Sequence, residues 1–241
     1  MRNFTNNGYD PMPIGEYLAG TIKQEKKLLV RHDVDDLPMK ALKMAEVENA
    51  MGIRSSYFFR DVRSTFKPNI IKQISSLGHE IGLHYESFSR YKGHPDLAIN
   101  DFRRSMSRFR ELVKVETICA HGDSTSPFDN RQLLDYYDLK SEGVKWELSK
   151  DIDYSETLYL TDTGGSWNSK FNRRDLVVSE HSSKSESTLE LIREINHAKL
   201  PKTILINIHP QRWSDNLLEW YALKQSQRLK NLIKYYFFLD K

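Results

Sequence analysis

The stretch that most constrains this chain is Leu28-Leu29-Val30-Arg31-His32-Asp33-Val34-Asp35-Asp36-Leu37-Pro38. An apolar run of this length and β-branched content reads as a buried strand. Residues two apart in a strand share a face. Arg31, Asp33 and Asp35 are therefore expected to point one way, and His32, Val34 and Asp36 the other. Two carboxylates on one face repel each other unless a cation sits between them or one holds a proton. A metal ion or an acid/base pair would meet that condition. The alternative is a solvated acidic turn in which Asp35 or Asp36 caps the helix that Pro38 starts.

Strand and helix patterns then alternate. Strands are expected at 27–34, 55–59, 79–84, 115–120 and 203–208, with shorter ones at 144–148 and 157–160. Helices are expected at 14–19, 38–51, 68–77, 95–113, 187–198 and 215–238, each with apolar residues three or four apart or a terminating glycine. The last is amphipathic, with Leu218, Tyr221, Ala222, Gln225, Leu229, Leu232, Ile233 and Tyr236 on one side. Residues 1–24 read as an irregular lead-in, and 123–172 as a turn-rich region. This alternation implies an α/β fold with parallel strands and helical crossovers, either a barrel or a doubly wound sheet. No stretch reads as a linker, so residues 1–241 are read as one domain.

Composition narrows the function. With 39% apolar and 29% charged residues the chain can build a core. A formal charge of +3, with the basic residues scattered, gives no reason to expect nucleic-acid binding. Runs such as Arg103-Arg104 and Arg173-Arg174-Asp175 read as solvated surface. The lone Cys119 excludes an internal disulfide and a cysteine-based zinc cluster. No segment has the length of a membrane span, the N-terminus lacks an apolar leader core, and a cytoplasmic location is expected. No glycine-rich phosphate loop follows a strand.

The chemistry collects where strands end. The first ends in Asp33 and Asp35, the third in His84 with Glu86 two residues on, the fourth in His121, and the last in His209. In parallel α/β folds functional groups gather at that edge. Each has a plainer alternative: His121 precedes Gly122 and suits a turn, and Glu86 suits either a supporting group or an exposed charge. His79, five residues before His84, falls on the opposite strand face and reads as structural. One carboxylate with two imidazoles suits zinc, or another first-row divalent ion such as cobalt or manganese, with an open water position. A second carboxylate could take the proton from that water and a histidine could protonate a leaving group, which is metal-assisted hydrolysis of an amide or ester.

These residues resemble the polysaccharide deacetylase family, the NodB-homology group of carbohydrate esterases. His32-Asp33-Val34-Asp35 is similar to a spaced form of its first motif, Gly78-His79-Glu80-Ile81-Gly82-Leu83-His84 to its second, and Leu205-Ile206-Asn207-Ile208-His209 to its last. The matches span roughly residues 28–210. The resemblance implies a distorted (β/α)7-type barrel, with Asp33 as catalytic base, His209 as general acid, and Asp35 and His84 as metal ligands. It departs at two points. The family's second metal histidine, four residues after the first, is Phe88 here. Ala120-His121-Gly122 stands where the family has an arginine that contacts the base aspartate. His121 is expected to replace the missing ligand. Asp162 and Trp167 are expected to orient the histidine or line the sugar site, Arg212 and Trp213 to line the cleft, and Glu86 to stand at the substrate site. The implied function is removal of an N- or O-acetyl group from a sugar or a polysaccharide precursor. A metal-independent amide or ureide hydrolase, or a non-catalytic carbohydrate-binding protein on the same scaffold, are the alternatives.

Overall fold

The computed structural model describes residues 1–20, 23–172, 174–197 and 199–238, with side chains up to residue 232. Among the described residues eight strands carry the fold: β1 (Asp10–Met12), β2 (Lys27–Val34), β3 (Ser56–Phe59), β4 (Glu80–Tyr85), β5 (Thr117–Ala120), β6 (Trp146–Glu147), β7 (Thr157–Thr161) and β8 (Thr203–Ile208). All pairings are parallel, in the order β6-β5-β4-β3-β2-β8-β7. The lead-in, read as irregular, contains a helix, Arg2–Asn6, as well as β1. β1 pairs with the first half of β2, from Asp10↔Lys27 to Met12↔Leu29, and β3 takes over from Arg31↔Ser56. Parallel neighbours need crossovers, and the helices Pro38–Ala50, Pro68–Ser76, Pro95–Arg110 and Thr188–His197 supply them.

The sheet curls into an α/β half-barrel of the (β/α)7 type. Met12, Leu29, Phe58, Cys119, Leu148 and Leu205, from both halves of the sheet, meet in one cluster inside the curl. Outside it, Val34, Tyr57, Phe59 and Leu83 pack against the three helices over β2–β5, while Leu28, Val30, Leu158 and Ile204 pack under Thr188–His197. Gly82 on β4 lies where a Cβ would overlap the Phe58 ring and the Thr117 carbonyl, so this close approach requires glycine.

The helix after β2 starts at Pro38 with no side-chain cap, which removes the capping alternative for Asp35. Asp36 instead accepts from the Leu37 N–H at 2.9 Å, in a turn that holds Leu37 in the left-handed region at φ 48°. The C-terminal helix, Leu217–Phe238, turns its apolar side to solvent: Leu218 is 83% and Leu229 60% exposed. It docks through polar residues, with Asn231 Nδ2 donating to the Gly164 carbonyl at 2.8 Å. The side chains of Ile233 and Tyr236, Ala198 at the expected end of the 187–198 helix, and Arg173 lie outside the described residues.

The outward face of β2 carries a buried polar knot. His32 Nε2 lies 2.9 Å from Glu48 Oε1, and the Ser55 and Tyr57 hydroxyls donate to Glu48 Oε2 at 2.6 and 2.9 Å. His79, on the face away from His84, contacts Ser55 and the Ala45 carbonyl, so it is structural. Burial raises the pKa of Glu48, but the charge and hydrogen bond of His32 and the two hydroxyls outweigh it, and the net shift is downward. A carboxylate with a depressed folded pKa contributes stability that is present above its unfolded pKa and lost as pH falls through the folded value. Glu48→Ala is expected to cost about 3–5 kcal/mol, the range for breaking one partner of a buried pair. Thermal melts from neutral pH down to about pH 3 should show the wild type losing this increment in acid while the variant, already lacking it, changes less.

Candidate metal centre

The inward parity read for β2 holds, and Asp33, Asp35, His84, His121 and His209 meet at one end of the curl. Asp35 Oδ1 lies 3.6 Å from His84 Nε2 and 3.6 Å from His121 Nε2. The Asp35, His84 and His121 donor atoms all fall within 4.8 Å of one another. Ligands at 2.0–2.2 Å from a tetrahedral ion stand about 3.3–3.6 Å apart, so the spacing suits one. Asp35 Oδ1 is buried without a hydrogen-bond partner, an expensive state for a carboxylate oxygen unless a cation faces it. Burial pushes the His121 pKa down to about 4, against the pull of Asp35, which keeps the imidazole neutral and able to donate a lone pair. These residues fit a divalent ion.

A second grouping, Asp33, His84 and Cys119, has different geometry. Cys119 Sγ sits 2.9 Å from His84 Nδ1, closer than two ligands of one ion stand. Three of the four lone-pair sites of Asp33 are engaged by nitrogen donors, which leaves one on Oδ1 free of them. Its Oδ1 accepts from Arg31 Nε at 2.8 Å, and its Oδ2 from Arg31 Nη2 at 2.8 Å and Asn207 Nδ2 at 2.9 Å. Burial would raise the Asp33 pKa, but Arg31, with His84 and His209, holds it far below the usual carboxylate range. Arg31 makes this contact from two residues upstream on the same strand.

His209 follows β8. Its Nε2 is 3.7 Å from Asp35 Oδ2 and 4.0 Å from Asp33 Oδ2, and its Nδ1 donates to Asp162 Oδ1 at 2.6 Å. Asp162, just past β7, also accepts from Trp213 Nε1 at 2.8 Å and Arg212 Nη1 at 3.0 Å. Burial and Arg212 oppose protonation of His209, yet the charge and hydrogen bond of Asp162 prevail and its pKa is raised. Asp162, Arg212 and Trp213 therefore position His209. Were His209 to act as a general acid at a bound metal, Asp162→Asn would be expected to lower turnover about 10–100-fold, part of what such a group contributes, with metal content unchanged. Steady-state kinetics beside elemental analysis would show it.

Two residues placed at the substrate site have other surroundings. Trp167 is 8% exposed and lies in the apolar cluster under Thr188–His197, with its Nε1 on Thr188 and its ring behind Trp213 at 6.0 Å. Glu86 is 9% exposed, held by Arg60 and Arg90 and 3.4 Å from His121 Nδ1, so it backs a candidate ligand. Phe88 packs in the core against Phe128 and Tyr136.

Asp175 corrects the reading of 173–175 as solvated surface. It accepts from Tyr159 Oη at 2.5 Å, Thr161 Oγ1 at 2.7 Å, Thr163 Oγ1 at 2.9 Å and Asn207 Nδ2 at 3.3 Å. The segment folds back across the ends of β7 and β8, a path that no local pattern announces. With Arg174 it walls a cavity of about 440 Å³ that opens beside His121 and is floored by Arg31 and Cys119. The turn-rich region contributes Asp129, Glu147, Ile152 and Tyr154 to the same cavity.

No family model matches the sequence, and a search of curated proteins finds no match. Among solved structures the chain is similar to a CE4 esterase from Streptococcus mutans, with TM-score 0.48 and 12% identity, covering 91% of this chain and 86% of that one. It is similar to PdaA of Bacillus subtilis, a family 4 carbohydrate esterase, with TM-score 0.45 and 12% identity, covering 95% and 82%. It is also similar to a CE4 family pseudoenzyme from Bacillus anthracis, with TM-score 0.44 and 10% identity, covering 92% and 66%.

Proposed function

We propose that the chain is a metal-dependent hydrolase that removes an N- or O-acetyl group from a sugar or sugar derivative. The observation that carries this reading is Asp35 Oδ1, buried and unpartnered at 3.6 Å from two imidazole nitrogens, with Asp33 and His209 beside the same point. Asp35, His84 and His121 would hold the ion, and two nitrogens with one oxygen favour zinc, with cobalt and manganese as workable substitutes. When bound, the ion supplies Lewis acidity, polarising the acyl carbonyl and lowering the pKa of the attacking water.

The chain's own residues do the rest. Asp33, fixed in orientation by Arg31 and Asn207, accepts the proton of the attacking water as the new C–O bond forms. Its low pKa makes it a weak base, so it serves only a water already made acidic. His209, charged through Asp162, delivers a proton to the leaving nitrogen or oxygen from Nε2 as the C–N or C–O bond breaks. The 440 Å³ cavity next to His121 mixes carboxylates and arginines with Ile152, Tyr154 and Val177, a lining that suits a hydroxyl-bearing ring.

The test is metal content of protein purified without chelator, in wild type and His121→Ala, followed by acetate release from acetylated sugars. Near-stoichiometric metal in the wild type, lost in the variant, with metal-dependent acetate release, is expected. A wild type that binds no zinc, cobalt or manganese would defeat the mechanism.

A further inference from the structure

We propose that Glu86 is the positioning residue that turns His121 into a metal ligand, by accepting its Nδ1–H and so directing Nε2 at the ion; this rests on the metal-hydrolase reading above.

His121 lies just past β5, and its backbone is held on both sides. Its N–H donates to the Tyr85 carbonyl at 2.8 Å, and its own carbonyl accepts from Asn130 Nδ2 at 2.7 Å. Those bonds place the Cα and leave the ring free to rotate about two side-chain torsions. The ring stands edge-on to His84, with centroids 5.1 Å apart and planes at 90°. Its Nδ1 is buried with no strict hydrogen bond, and the acceptor facing it is Glu86 Oε2 at 3.4 Å. The carboxylate of Glu86 is thus the acceptor within reach of this nitrogen.

Glu86 is built for the task. It follows β4 two residues after His84, so one short segment carries a ligand and the support of another. Its Oε2 accepts from Arg60 Nε at 3.0 Å and Arg60 Nη2 at 2.5 Å, and its Oε1 from Arg90 Nη2 at 2.5 Å. Arg90 is anchored in turn on Asp101 Oδ2 at 2.9 Å and the Asp61 carbonyl at 3.1 Å. A carboxylate gripped by two guanidiniums cannot swing away, which is what an orienting acceptor needs. His84 has a related arrangement, its Nδ1 facing the Cys119 carbonyl at 3.2 Å and the Cys119 sulfur at 2.9 Å while Nε2 faces Asp35. Both imidazoles thus have a protein acceptor on the side away from the ion, the pattern that sets tautomer and raises ligand basicity.

Zinc affinity, measured by competition with a chromophoric chelator, is expected to fall about 10–100-fold in Glu86→Ala. Cobalt-loaded wild type should show two exchangeable, paramagnetically shifted imidazole N–H proton resonances, and Glu86→Ala only one, from His84. A purely structural role for Glu86 would lower the melting temperature without removing one resonance selectively. Glu86→Gln is the isosteric variant should the alanine form not fold. Its single carbonyl oxygen cannot serve both guanidiniums and His121, so it too should bind zinc more weakly and lose the same resonance. Wild-type zinc affinity with both resonances in the folded variants would overturn the assignment and leave the metal site standing. A wild type that binds neither zinc nor cobalt would overturn the functional reading, and this proposal with it.

Discussion

His121→Ala is expected to purify without metal and to lose acetate-releasing activity in step with it. The substitution leaves Asp35 and His84, two donors where a catalytic ion needs three. Removing a group that merely orients a ligand costs about 10–100-fold in affinity, so deleting the ligand should cost more. The loss should also appear as stability: an ion that binds only the folded chain raises its melting temperature by mass action. Chelator is therefore expected to lower the melting temperature of the wild type and leave that of His121→Ala unchanged. Stoichiometric zinc in the variant would mean that the ion is held without His121, with Asp33, at 3.6 Å from His84 Nε2, as a replacement.

Asp33→Asn is expected to keep the metal and lower turnover by about 10²–10⁴-fold, the usual contribution of a positioned proton acceptor. The amide keeps the shape of the carboxylate, and Asp35, His84 and His121 are untouched. What disappears is the negative charge against Arg31, and an unpaired buried guanidinium costs about 3–5 kcal/mol. The kinetics therefore belong well below the lowered melting temperature. Full turnover would remove Asp33 from the role of base. Loss of metal together with activity would make Asp33 a ligand instead.

Much of the site was legible because its residues sit on strands. Alternation has a period of two, so the face shared by Arg31, Asp33 and Asp35, and the separation of His79 from His84, follow from counting. Strand ends in a parallel fold place Asp33, His84 and His209 at one edge whatever the details of packing. Phe88 at the expected second-histidine position was visible as a gap, and His121 as the nearest imidazole that could fill it. The pairing of Arg31 with Asp33 was only half visible: the shared face was countable, but a buried bidentate contact needs the closed interior of the curl. Asp175 was read as surface because Arg173-Arg174-Asp175 has the composition of a solvated run, and only the return of that segment over β7 and β8 sets it, half-buried, against Tyr159, Thr161 and Asn207.

The sequence by itself determined the parallel α/β architecture, the inward face of β2 and the set of carboxylates and imidazoles at one end of the sheet, because periods of 2 and 3.6 residues are properties of the local backbone. The tertiary structure decided between the alternatives for the groups that support that set. Glu86 behind His121, Asp162 behind His209 and Arg31 against Asp33 depend on how loops cross the end of the curled sheet and on how deeply each charge is buried. Neither property is encoded in spacing along the chain.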